Sequence, residues 1–183
     1  MIAENDGGSQ TITFTVSLSR TSSEEIRVNY STADGNDEES QNNATLADQD
    51  YVSKAGTLIF EPGEDSKTVE ITVNGDEKLE ADEFFRLLLS NPVNGKIADG
   101  EGRGTIQNDD EAPTLSIEDL TITEGNSGTW LARFKVRLSN PTTQTVTVNF
   151  ATGEGTASAG ADFTPLQGQL TFNPGEVEKE IAV

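Results

Sequence analysis

The sequence predicts an all-β protein, built as a sandwich and present in two tandem copies. Three observations carry that reading: a hydrophobic period of two, turn residues between short apolar runs, and internal repetition.

The period comes first. Ile12, Phe14, Val16 and Leu18 alternate with Thr11, Thr13, Thr15 and Ser17, as expected of a strand with one buried and one wet face. Alternation returns at Ile26–Tyr30, Leu58–Phe60, Val69–Val73 and Phe85–Leu89, and later at Ala132–Leu138 and Val146–Phe150. Pro62-Gly63, Asn74-Gly75, Asn91-Pro92 and Pro174-Gly175 supply the turns. Only Glu77–Phe85, short and acidic, has a helical character. Many short strands without a long helix define a sandwich.

The chain then repeats. Thr15–Ser19 matches Lys135–Ser139 and Val28–Thr32 matches Val148–Thr152, at one constant offset that also pairs Glu4 with Glu124. Asp50-Tyr51 matches Asp162-Phe163, and Phe60–Glu64 matches Phe172–Glu176, at an offset shorter by about eight residues, the scale of a tolerated loop insertion. The extra residues fall within Asn36–Asp48. The expected domains are residues 1–111, with the first strand partly missing, and 112–183, lacking the last strands. They join near Glu111-Ala112-Pro113. An incomplete second copy would present sheet edges and core residues such as Phe134, Val148 and Phe172, attractive to strands of another chain.

Composition excludes much. The chain has 32 Asp and Glu against 12 Lys and Arg, a net charge of −20. Such a surface repels nucleic acid and anionic membranes and attracts cations. Residues 1–111 hold 24 of the acids. With no cysteine and no histidine, thiolate chemistry, the commonest general base and the commonest transition-metal ligand are all lacking. Oxygen donors remain, which suit hard cations. No apolar run is long enough to span a bilayer, and no signal peptide opens the chain, which reads as an excised fragment.

Several motifs resemble the Calx-beta domain family, known from sodium–calcium exchangers, an integrin subunit and repetitive bacterial surface proteins. They are Ile2-Ala3-Glu4-Asn5 and Ile122-Thr123-Glu124-Gly125, Val28–Gly35, and Asp50-Tyr51. Further along come Gly56–Glu64, the acidic Asp76–Phe84, and Gly104-Thr105-Ile106-Gln107-Asn108-Asp109-Asp110. The resemblance implies an immunoglobulin-like antiparallel sandwich of about seven strands. It also implies calcium ligands converging at one tip: Glu4, Asp50, Asp76, Glu80, Glu83, Asn108, Asp109 and Asp110. Gly75 and Asn108 stand where strong exchanger-type binders carry Asp, which implies fewer ions or weaker affinity. Only Glu124 and Asp162 of this set remain in the second copy, too few for a site.

The expected function is therefore non-enzymatic: a calcium-binding structural or adhesive repeat of a larger secreted or cell-surface protein, bacterial in origin. In that reading calcium stiffens the inter-repeat hinge. Its partners would be calcium, neighbouring repeats, and another protein or a surface glycan, without nucleic acid or direct membrane insertion. The alternatives are an exchanger-type calcium sensor, or a passive spacer beside an enzymatic or sugar-binding domain. The bland reading of the acids is a solvated rim. Asp34–Glu38 is not an EF-hand, because Gly35 is misplaced and Thr45 stands where Glu belongs. Gly125–Gly128 has the wrong spacing for a nucleophile elbow and reads as a hairpin turn. Paired carboxylates for glycoside hydrolysis all fall within the presumed ion cluster. Trp130 reads as a packing residue. Of the glycosylation sequons at Asn29 and Asn43, the first lies in a strand.

Overall fold

The structure, a computed structural model, describes all residues except Glu39, Ser40, Gln41 and Glu124. Part of the expected insertion and the second-copy match of Glu4 thus lie outside the described residues. The chain forms two compact units, Met1–Glu77 with Ala81–Asp110, and Lys78–Glu80 with Glu111–Val183.

The first unit contains β1 (Ile2–Ala3), β2 (Ser9–Ser17), β3 (Ile26–Ala33), β4 (Ala55–Phe60), β5 (Ser66–Asn74), β6 (Glu83–Val93) and β7 (Glu101–Gln107). One sheet runs β1-β7-β6-β3-β4, and β2 pairs with β5 in the other. Every pairing is antiparallel except β1 with β7, where Ile2 lies beside Ile106 in parallel. The alternating apolar positions meet between the sheets: Ile12, Val69, Ile71 and Val73 from one, Val28, Leu58, Phe60, Phe85, Leu87 and Ile106 from the other. Each such buried side chain contributes roughly 1.5–3 kcal/mol relative to exposure. Phe85 anchors an aromatic group, stacked on Tyr51 at 4.6 Å and edge-on to Phe14 at 5.8 Å.

The second unit contains β8 (Leu115–Ile117), β9 (Arg133–Leu138), β10 (Val146–Ala151), β11 (Gln167–Phe172) and β12 (Glu178–Ala182). Its sheets are β10-β11 and β12-β9-β8. The repeat read from sequence reappears as identical register. Val28 faces Leu58 as Val148 faces Leu170, and Phe14 faces Val69 as Phe134 faces Ile181.

Four expectations are corrected. No described residue is helical. Glu77–Asp82 is loop and β6 starts at Glu83, because Phe85 and Leu87 serve a period-two face. Trp130 is 64% exposed and packs into neither core cluster. Phe172, expected to be uncovered, is fully buried, with Val136, Leu138 and Ile181 around it and Phe134 and Val148 partly buried. Gly125 and Gly128 do adopt left-handed φ values of 74° and 91°, but β8 ends at Ile117 and β9 begins at Arg133. Among the described residues of that connection no tight hairpin forms.

Candidate functional site

Strand ends and loops of the first unit carry all the expected acids except Glu80, which falls in the second unit. Glu4 follows β1, Asp76 follows β5, Glu83 opens β6, and Asn108–Asp110 follows β7. Strand pairing brings the first and last of these together. Glu4 N–H donates to the Gln107 carbonyl at 3.2 Å, and Asn5 N–H donates to Asp109 Oδ1 at 2.9 Å.

Within the first unit, carboxylate oxygens of Asp50 and Glu83 lie within 4.8 Å of each other. Asp50 is almost fully buried. Its Oδ2 accepts from Thr45 N–H at 2.6 Å, while its carbonyl accepts from Asn74 N–H at 3.0 Å. Lys78 forms an ion pair with Glu80. Asp162 repeats the Asp50 turn in the second unit, its Oδ2 accepting from Ser158 N–H at 2.7 Å. Loop closure is thus one function of this aspartate, independent of any ion.

Asp110 centres the remaining acids. Its Oδ2 is buried without a hydrogen-bond partner. Burial pushes its carboxyl above the ordinary aspartate value, and the charges of Asp76, Asp109, Asp6 and Glu77 push it further. Asn108 contributes differently from an acid: its Nδ2 donates to the Asp110 carbonyl at 3.2 Å, and its N–H to Asp82 Oδ1 at 3.2 Å. Glu4 is buried, yet it is not grouped with Asp50 and Glu83.

The structure therefore brings Asp50 together with Glu83, and Asp76 and Asp109 around Asp110, while Glu80 belongs to the second unit. Sequence reasoning missed Asp6, Glu77 and Asp82. The adjacency of Asp6 to Glu4 and of Glu77 to Asp76 was the available signal.

A calcium ion fits these residues. The donors are oxygen throughout, they come from separate loops, and the orphaned Asp110 Oδ2 lacks the partner that a buried carboxylate oxygen ordinarily has.

Fold and site together define a tandem β-sandwich with an acid-rich loop tip. A family model for the Calx-beta domain matches residues 2–110 and again 108–183. The chain belongs to the Calx-beta domain family. It is 29% identical over 157 residues to sodium/calcium exchanger 1 of Canis lupus familiaris, covering 75% of this chain and 16% of that protein. With the sodium/calcium exchanger Calx of Drosophila melanogaster it shares 31% identity over 149 residues, 78% of this chain and 15% of the exchanger. The chain thus spans less than a fifth of these curated relatives. Among solved structures, the calcium binding domain CBD12 of CALX1.1 aligns with a TM-score of 0.51 at 26% identity, covering 100% of this chain and 71% of that one. The apo form of the Calx CBD1 domain aligns at 0.50 with 30% identity, over 60% of this chain and 88% of that one. Calx-beta domains are binding modules, not catalysts.

Proposed function

We propose that this chain is a calcium-responsive regulatory module of the exchanger type, with calcium held at the acidic tip of its first repeat. The observation that carries this is Asp110, with a buried oxygen lacking a hydrogen-bond partner and four acids acting on it. Asp76, Asp109 and Asp110 would hold an ion, with Asp50 and Glu83 offering further carboxylate oxygens from the same unit. Calcium supplies two positive charges and takes about 6–8 oxygen ligands, so several loops can share it. Asn5 N–H orients Asp109, Thr45 N–H orients Asp50, and Asn108 fixes the Asp110 backbone. Similarity to the calcium binding domain CBD12 of CALX1.1 supports the sensor reading over the adhesive one. Calorimetric titration of the full chain with calcium tests it. Saturable heat that Asp109→Ala/Asp110→Ala abolishes supports the site; a silent wild type refutes it.

A second reading, a calcium-stiffened repeat of an extracellular or cell-surface protein, is favoured by chain order. Asp109 and Asp110 run directly into Glu111, whose carbonyl accepts from Asn140 Nδ2 at 2.9 Å. Small-angle scattering with and without calcium separates the two, since only stiffening narrows the distribution of interdomain distances.

A further inference from the structure

Gly75 directly follows β5 and precedes Asp76, and its role is steric. Its φ is not left-handed, so backbone freedom does not explain a glycine there. A Cβ at this position would lie 2.2 Å from the Glu4 carbonyl oxygen and 2.2 Å from that of Asn5. Neither atom is the yielding end of a side chain. Gly75 N–H also donates to the Gly8 carbonyl at 3.1 Å. The Glu4–Gly8 segment is therefore seated on Gly75 from one side. From the other it is held by Gln107 and by the Asn5 N–H to Asp109 bond. Asn5 completes the seat with a φ of 63°, a conformation that asparagine tolerates better than most residues.

We propose that Gly75 is a positioning residue for cation uptake: its missing side chain seats Glu4 and Asn5, and that seat holds Asp109 toward the tip. This rests on the calcium reading given above. Its consequence runs against charge counting. An acid placed at position 75 would add a carboxylate to the tip, and charge alone predicts tighter binding. The seat predicts the opposite, because any Cβ lifts Glu4–Asn5 and frees Asp109 from its donor.

The test is calcium calorimetry on the full chain as wild type, Gly75→Ala, Gly75→Asp and Gly153→Ala, where a Cβ at Gly153 meets open space. Both position-75 variants should lose roughly tenfold or more in affinity, the scale of a lost supporting contact to a metal ligand. Gly153→Ala should match wild type. Amide hydrogen exchange on the same samples should show Asn5 exchanging faster in Gly75→Ala, while the β2–β5 amides stay protected. This excludes general unfolding as the cause. Unchanged or tighter binding by Gly75→Asp, with wild type binding normally, overturns the positioning role and leaves the calcium site standing. No binding by wild type removes both.

Discussion

Asn5 N–H donates to Asp109 Oδ1 at 2.9 Å and so joins the segment after the first strand to the segment after the seventh. Asp109 thus has two roles that substitution can separate. Asp109→Asn keeps an oxygen acceptor for Asn5 but removes the charge. It should fold within about 0.5 kcal/mol of wild type and lose roughly tenfold or more in calcium affinity. Asp109→Ala should lose the same affinity and in addition about 1 kcal/mol of calcium-free stability, the net value of a hydrogen bond. Urea unfolding in chelator, paired with calorimetry, measures both. Equal calcium-free stability of the two variants would show that the Asn5 bond contributes nothing.

Asp110 presents the opposite balance. Burial and four neighbouring acids raise its carboxyl above the ordinary value of 3.8. The folded state therefore holds this proton more tightly than the unfolded chain, and ionisation at neutral pH costs the calcium-free fold stability. That cost is relieved as pH falls through the raised folded value. Asp110→Asn should thus melt about 1–3 °C higher than wild type in chelator at pH 7. The advantage should shrink on acidification. In excess calcium the order should invert, since ligand at about a hundred times its Kd adds about 2.7 kcal/mol to a protein that binds it. Thermal melts in chelator and in calcium give both comparisons; a wild type indifferent to calcium would contradict the inversion.

Tyr51 links the same sandwich to the loop after β3. Its hydroxyl donates to Asp34 Oδ1 at 2.6 Å, while its ring stacks on Phe85. Burial, then the hydrogen bond to Asp34, raises the Tyr51 pKa above the ordinary 10.0. Below that value the contribution to stability is complete; above it the unfolded chain ionises first and stability falls with rising pH. Tyr51→Phe leaves the stack but deletes the hydroxyl, as Phe163 already does at the matching position of the second repeat. It should cost about 1.5–3 kcal/mol, the range for a bond to a charged group. It should also flatten the alkaline decline above pH 10. Denaturation midpoints at neutral and alkaline pH check this, and parallel pH profiles would show that Tyr51 is not the group responsible.

These residues also show how far the sequence could be read. Alternation placed Ile12, Phe14, Val69 and Ile71 on buried faces, because a half-buried strand admits only that period. The repeat offset anticipated the shared register of Val28 with Leu58 and Val148 with Leu170. Glu77–Phe85 misled because clustered acids leave no period, and its strand is dictated by partners far along the chain. Trp130 misled because size suggests burial, whereas exposure depends on which strands cover it. At the tip, acid types were legible but pairings were not. Nothing local announces that Asn5 meets Asp109, or that Asp6 and Glu77 act on Asp110.

Gly104 is the clearest residue whose identity only packing explains. It sits on β7 opposite Phe85, with an ordinary strand backbone. A Cβ there would come 2.7 Å from the Phe85 ring and 2.9 Å from the Phe14 ring. The two rings, edge to face, occupy the space that a side chain would need. Gly104→Ala should destabilise by about 1–3 kcal/mol through overpacking, despite the better strand entropy of alanine. Shortening the neighbour should restore part of that loss, so Gly104→Ala with Phe14→Leu should be less damaging than the two costs summed. A double-mutant cycle by chemical denaturation should give a coupling of about 0.5 kcal/mol or more. Strict additivity would mean that β7 shifts away from the rings instead, and that Gly104 is dispensable to the aromatic group.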